Sequence, residues 1–346
     1  MPLTDPTSTR RPTLADVARR CGLSKAAVSL AVNHSPDRPS TLKEETRRRI
    51  VLIAEEMGYR ASWRGRVLAS RRSQMIAVVY AHALPQGVYT EIGSRIDEEL
   101  NRYGYTPIFI HVPEGDDRFE RMLDDQRFDG CLSLASLSDS VMRTLRGHKV
   151  PTVLINAAAD ASWSCVNVND EAGTILAMRH LYDLGHRRIA YYGGEQPPHP
   201  SVIIRAATYQ RFMNEAGLAP DEPFTGPIDA FGDRVTRGGA FPATAMLTFD
   251  HRPAIALLQH FWRRGVRVPG DVSLVTFNDA YPVEQLTPPL TVIGLPVRQM
   301  GEHAVRLLVE RLDRPQLTPE IVLLDEHLIV RESTAAAASM ERGAAE

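Results

Sequence analysis

The chain has 346 residues, is 43% apolar and 24% charged, and carries a formal net charge of −2. That is ample for two or three domains of ordinary soluble type, and it excludes a disordered, collagenous or disulfide-stapled chain. The small net charge conceals a division: residues 1–72 hold 15 Lys and Arg against 7 Asp and Glu, a surplus of +8, and the remainder carries −10. A basic N-terminal module on an acidic body points to a polyanionic partner for the first part only. Cys21, Cys131 and Cys165 are odd in number and widely separated, so they read as small buried hydrophobes of a reducing cytoplasm rather than bridges or metal ligands. No run approaches the ~18 apolar residues of a membrane span, and the N-terminus lacks an export signal. The expected location is the cytoplasm, with no membrane partner.

Residues 1–11 are polar and expected to be disordered, with Arg10 and Arg11 able to reach phosphate. From Thr13 a short helix is expected: Thr13 and Asp16 make a near capping box, Leu14, Val17 and Ala18 recur at helical spacing, and Gly22 suits the positive φ of a helix end. Ser24 then offers its hydroxyl to the free N–H groups of a second helix. On that helix Val28 and Val32 face the first, and Lys25, Ala26, Ser29 and Leu30 face outward. Two short helices joined by a Gly-containing turn form a helix-turn-helix. A third helix is expected from Thr41, where T-L-K-E reads as a capping box, with Ile50, Ile53, Ala54 and Met57 on its buried face. The segment 59–73 has five Arg in fifteen residues and an interior Gly65; read alone it is a basic linker or a weak amphipathic helix.

From Gln74 onward short β-branched runs alternate with helical stretches: MIAVVY, TPIFIHV, GCLSLAS, PTVLIN and SCVNVN in one series, then RIAYYGG, AMLTFD, VSLVTFN and LTVIGL in another. In the second series a strand is expected near PFTGPIDA and a helix near 238–243, distorted by Pro242. The helix VRQMGEHAVRLLVERL and the strands of EIVLLDEHLIVRE complete the chain before a frayed tail at 336–346. This βαβ repetition implies an α/β core of two doubly wound parallel-sheet subdomains, a clamp that takes a ligand between the C-terminal ends of its strands. The expected division is a helix-turn-helix domain at 12–60, a linker at 61–73 and a core at 74–335. Within the core the N-subdomain spans about 74–168 and 297–323, and the C-subdomain about 169–294 and 324–335.

Several residues together carry a family resemblance. The N-terminal pattern T-L-A-D-V-A-x-x-x-G-L-S-x-x-x-V-S-x-x-x-N, Asp129-Gly130 before a strand, GHRRIAYYGG at 185–194, VPGDVSLVTFND at 268–279, Pro288 to Thr291 and Met300-Gly301 resemble the lac repressor (LacI/GalR) family of bacterial transcription regulators over essentially all of residues 12–334. The resemblance implies a periplasmic-binding-protein-like core and a homodimer that sets two recognition helices into successive major grooves of a double-stranded, pseudo-palindromic operator. It places base reading on Lys25, Ala26 and Leu30: Lys25 can donate to guanine O6 and N7, and Ala26 offers only a methyl contact. Thr13, Ser24, Ser29 and Asn33 match positions that hold the DNA backbone. Leu68 matches the leucine that wedges into the minor groove from a hinge helix, with Arg64 and Gly65 beside it. Here the usual Pro-Asn is Ala61-Ser62 and a common Ala is Gly65, which weakens that helix.

The resemblance also implies a small-molecule effector, most often a sugar or its derivative. Arg205 stands where the family's ligand-pairing arginine lies, Tyr89 can stack on a ring, and Asn156, Asn278, Phe249, Leu295 and Phe231 fall at or near pocket positions. Phe249 and Leu295 replace polar residues, so the cleft is less suited to a fully hydroxylated sugar than the family average. A non-sugar effector, or none, is the alternative. No cofactor or metal is implied. The sequence shows no nucleophile with a base, no carboxylate pair and no metal-ligand spacing, so a regulator, most simply a repressor, is expected rather than an enzyme. A transport-type binding protein on the same fold would not carry the helix-turn-helix.

Overall fold

The computed structural model describes residues 11–33, 42–60, 67, 72–81, 87–113, 115–134, 136–157, 160–194, 199–236 and 238–337. The chain forms two compact units, residues 1–74 with 126–129, and residues 75–125 with 130–346. The hinge positions Arg64, Gly65 and Leu68 lie outside the described residues.

In the first unit, α1 (Leu14–Cys21) starts with the expected reciprocal cap: the Thr13 N–H donates to Asp16 at 2.9 Å, and the Thr13 hydroxyl oxygen accepts from the Asp16 N–H. Gly22 ends it at φ +67°, returning its N–H to the carbonyls of Ala18 and Arg19. In α2 (Lys25–Val32) the Ser24 hydroxyl accepts the Ala27 N–H at 3.1 Å. The third helix, α3 (Glu44–Glu56), begins later than the sequence suggests and has no side-chain cap; Glu44 and Glu45 instead lay negative charge on its N-terminal dipole. Thr41 lies outside the described residues. Val17, Ala18, Cys21, Val28, Ala31, Ile50 and Ala54 close a small core, with Leu14, Val32, Ile53 and Met57 half-buried around it.

The second unit has two lobes. In the first, β1 (Met75–Tyr80), β2 (Thr106–His111), β3 (Gly130–Leu134), β4 (Thr152–Ile155), β5 (Ser164–Val168) and β10 (Ile321–Leu324) form one parallel sheet in the order β10-β5-β4-β3-β1-β2. This lobe carries α4 (Val88–Arg102), α5 (Arg118–Asp124), α6 (Asp139–Gly147) and α11 (Val297–Asp313). In the second lobe, β6 (Ile189–Tyr192), β7 (Ala245–Thr248), β8 (Ser273–Phe277) and β9 (Thr291–Gly294) are parallel, and β11 (His327–Ile329) joins β9 antiparallel. Its helices are α7 (Asp170–Asp183), α8 (Pro200–Glu215), α9 (Ile228–Val235) and α10 (His251–Arg263). The inner strands β3, β4, β7 and β8 are buried at every position, as sheets covered on both faces require.

Two elements differ from the sequence reading. The stretch PFTGPIDA supplies only an isolated bridge from Phe224 to Tyr192 and then the start of α9, because Pro223 and Pro227 cannot donate to a ladder. The helix expected near 238–243 is a turn; the helix lies before it, at 228–235. Ala337, expected in the frayed tail, gives its N–H to the Leu184 carbonyl at 2.8 Å. The three cysteines are buried and unpaired. Among the described residues no helix is long and apolar enough to cross a membrane.

Candidate functional site

In the first unit the solvent face of α2 presents Lys25, Ala26 and Leu30, with Leu30 43% exposed. This face is left outside the three-helix core, in which Val28 and Ala31 of the opposite face are buried. Lys25 makes no ion pair among the described residues, whereas Arg47 and Arg48 share the Glu44 carboxylate at 2.6 and 3.0 Å and hold it down to about 2. The expected backbone-contacting residues are placed differently from one another. The Thr13 hydroxyl is taken up by Asp16 at 2.6 Å, and the Asn33 amide donates to the Ser29 carbonyl at 3.0 Å and to its hydroxyl oxygen at 3.2 Å, closing the end of α2. The hydroxyls of Ser24 and Ser29 act as acceptors in these bonds and keep a proton to donate.

In the second unit several of the expected effector residues stand at the C-terminal ends of the strands. Asn156 follows β4 and Asn278 follows β8, and both adopt positive φ, 50° and 72°. That backbone state is open to Asn at low cost and turns each amide out of its sheet. The Asn156 amide donates to the Tyr89 hydroxyl at 3.2 Å, and the Asn278 amide donates to Asp250 Oδ2 at 2.9 Å. Tyr89 belongs to the first turn of α4 and is half-buried; burial pushes its phenol up, with Arg205, Asp250 and Asp170 within electrostatic reach. Phe249 stands half-buried at the end of β7 with its ring over Gly194, where any Cβ would collide with it.

Three expected pocket residues sit elsewhere. Arg205 is 4% exposed: its Nε donates to Asp170 at 2.7 Å, Nη1 to the Phe249 carbonyl at 2.7 Å and Nη2 to Glu326 at 3.1 Å, and its plane lies 3.7 Å from the Phe277 ring centre. Its fork is engaged by the protein itself, because two carboxyls of the same lobe reach it first. Phe231 is fully buried between Tyr192 and Phe224 in the second-lobe core. Leu295 is buried with the first-lobe core.

One residue bonded to this group escaped the sequence reading. His199 caps α8, accepting the Ser201 N–H on Nδ1 at 3.2 Å while Nε2 donates to the Asn156 carbonyl at 3.0 Å, so it bridges the lobes as a neutral ring. Burial keeps it below the usual imidazole range. The only sequence signal was His199-Pro200, a helix start. His186 has a local role, bonding Thr244, Ser273 and the Ala335 carbonyl at 3.0 Å each. Among the described residues no group of three His, Cys, Asp or Glu is arranged to hold a metal ion.

Residues 13–62 match the model of bacterial regulatory proteins of the lacI family, and residues 178–334 match the periplasmic binding protein-like domain. The transcriptional repressor PurR of Vibrio campbellii is 27% identical over 334 residues, covering 93% of this chain and 98% of its own. The regulator MalR of Streptomyces coelicolor is 29% identical, over 95% of this chain and 98% of its own. Among solved structures, the regulator CelR in complex with cellobiose aligns over 93% of this chain and all of its own at a TM-score of 0.68 and 26% identity. The lac repressor dimer bound to operator and an anti-inducer shares the fold at a TM-score of 0.78 and 23% identity, over 94% of this chain. With the capped helix pair of residues 13–33 and the two-lobed α/β core already described, the chain carries a lacI-family helix-turn-helix domain ahead of a periplasmic binding protein-like domain.

Proposed function

We propose that the protein binds double-stranded operator DNA as a homodimer in the bacterial cytoplasm and represses transcription under control of a small effector. The observation that carries this is the face of α2, where Lys25, without an ion pair among the described residues, stands beside exposed Ala26 and Leu30 above a closed three-helix core. Lys25 donates to guanine, the Ala26 and Leu30 side chains meet thymine methyls, and the Ser24 and Ser29 hydroxyls with the N–H groups of the first turns take phosphate. Thr13 and Asn33 act by fixing the helix ends. Leu68, flanked by Arg64 and Gly65, wedges into the central minor groove.

The effector is held by the Tyr89 hydroxyl, the Asn156 and Asn278 amides and Asp250, with the Phe249 ring as an apolar face. Arg205 is already neutralised, so the ligand is uncharged and partly apolar: a modified sugar fits better than a phosphorylated or acidic metabolite. Binding shifts the lobes between two arrangements and thereby the dimer's grip on DNA; no catalytic step is involved. A ligand must favour one arrangement by roughly 10⁴ to move the balance from 1:99 to 99:1. The test is selection of duplexes from a random pool by the full-length protein, followed by titration of neutral and anionic sugars against the selected duplex. A two-fold symmetric consensus whose binding responds only to neutral sugars is expected, and selection of no common sequence would overturn the reading.

A further inference from the structure

The lobes are joined by three chain crossings, and two of them are stitched together. One runs from β5 into α7 at 168–170 and another from β10 into β11 at 324–327. The Asn169 N–H donates to the Leu324 carbonyl at 2.8 Å, and its amide donates to Asp325 at 3.1 Å. The next residue on each strand, Asp170 and Glu326, accepts from Arg205. One guanidinium thus faces two carboxyl groups, and all three side chains are at most 6% exposed. Asp170 is bonded to it at 2.7 Å, so a second full negative charge on Glu326 has only a share of the same cation.

The Glu326 carboxyl is held asymmetrically. Its Oε1 accepts from Arg205, but Oε2 is buried with no hydrogen-bond partner among the described residues. That oxygen occupies the space a side chain at position 173 would fill, and Ile293 closes the same spot. The charged groups acting on it are Asp170 from α7 and Arg205 from α8; Ile293 of β9 lies against the same spot, and Tyr191 on β6, within reach of the same Asp170 and Arg205, is kept neutral by burial. A carboxylate oxygen in such a place is far costlier than a carboxylic acid hydroxyl.

We propose that Glu326 is a proton-binding site at the lobe hinge: its neutral form closes the Asp170–Arg205–Glu326 cluster, and release of the proton to solvent admits water to Oε2 and loosens the two crossings. No other bond is made or broken. Burial supports this by pushing the carboxyl up to about 8 against the opposing pull of Arg205, with Asp170 adding to the rise. The hinge then responds to pH in the neutral to mildly alkaline range.

Two measurements on the full chain test this. Urea unfolding of the core is followed from pH 5.5 to 9 for the wild type and Glu326→Gln, which keeps an acceptor for Arg205 and cannot ionise. Relative to the variant, the wild-type unfolding constant should rise about tenfold per pH unit up to about 8, because the folded state holds one proton that the unfolded chain has released. Parallel curves would overturn the proposal. Infrared difference spectra of the wild type alone keep the idea testable if the variant does not fold. The carbonyl band of a weakly hydrogen-bonded carboxylic acid, shifted by ¹³C-glutamate, should be present at pH 6.5 and lost at pH 9, and its absence at pH 6.5 refutes the proton site. The distance between spin labels placed one on each lobe should lengthen over the same pH range; an unchanged distance would refute the hinge coupling.

Discussion

Removing Arg205 separates a residue that holds the core together from one that serves only a ligand. In Arg205→Met the aliphatic stem is largely kept and the cation is lost. Asp170 and Glu326, 6% and 0% exposed at their side chains, then lose their shared donor, and the Phe249 carbonyl loses its 2.7 Å bond. Breaking a buried ion pair by removing one partner costs about 3–5 kcal/mol, and loss of the cation from the Phe277 face adds to this. Against a typical stability of about 5–15 kcal/mol that is a large fraction. Urea unfolding of the core at pH 7 without any ligand should show this loss. The triple substitution Asp170→Asn, Arg205→Met, Glu326→Gln should recover part of it, since the stranded Asp170 charge and the unpartnered Glu326 carboxyl are gone. The deficit of Arg205→Met should also widen above about pH 8, because Glu326, freed from the opposing pull of the cation, still holds its proton in the folded variant after the wild type has released it, and stability that rests on a bound proton fades with rising pH. A loss under about 1 kcal/mol, unchanged by the triple substitution, would show that the guanidinium is not part of the core and return it to the ligand.

Two further outcomes follow from named contacts. Ser24→Ala removes the 3.1 Å acceptor for the Ala27 N–H and should lower the melting free energy of the first unit by about 0.5–2 kcal/mol, read by calorimetry of the full chain, with Ser24→Thr nearly restoring it. Gly173→Ala places a Cβ where Glu326 Oε2 lies; although alanine favours a helix by about 1 kcal/mol, the net effect should be a loss of about 1–3 kcal/mol in urea unfolding, relieved when Glu326 is also made Ala.

What could be read from the sequence depended on how local its cause is. The Thr13 and Asp16 cap, the Gly22 stop and the Ser24 cap each involve residues within four positions of one another, and the structure forms all three. The βαβ alternation likewise follows from short buried runs. The stretch at 223–243 misled because its apolar residues Phe224, Ile228, Phe231 and Phe241 suit either period, and the prolines that decide between them act through the backbone. In the cleft the resemblance pointed to Arg205, but the partners that occupy its fork, Asp170 and Glu326, lie 35 and 121 residues away. Nothing in the order of residues shows that the β5–α7 and β10–β11 crossings meet. His199 was hidden for the same reason, since its bond to the Asn156 carbonyl spans 43 residues.

The central claim is that α2 reads operator bases through Lys25. It is tested most directly by repeating the duplex selection with the wild type and Lys25→Ala and measuring affinity for each single-base change in one half-site. The account predicts a loss of about 1–3 kcal/mol together with relaxed preference at one base pair per half-site, a guanine in the wild-type consensus. Uniform weakening across all sequences, with the consensus unchanged, would contradict it and leave Lys25 a phosphate contact.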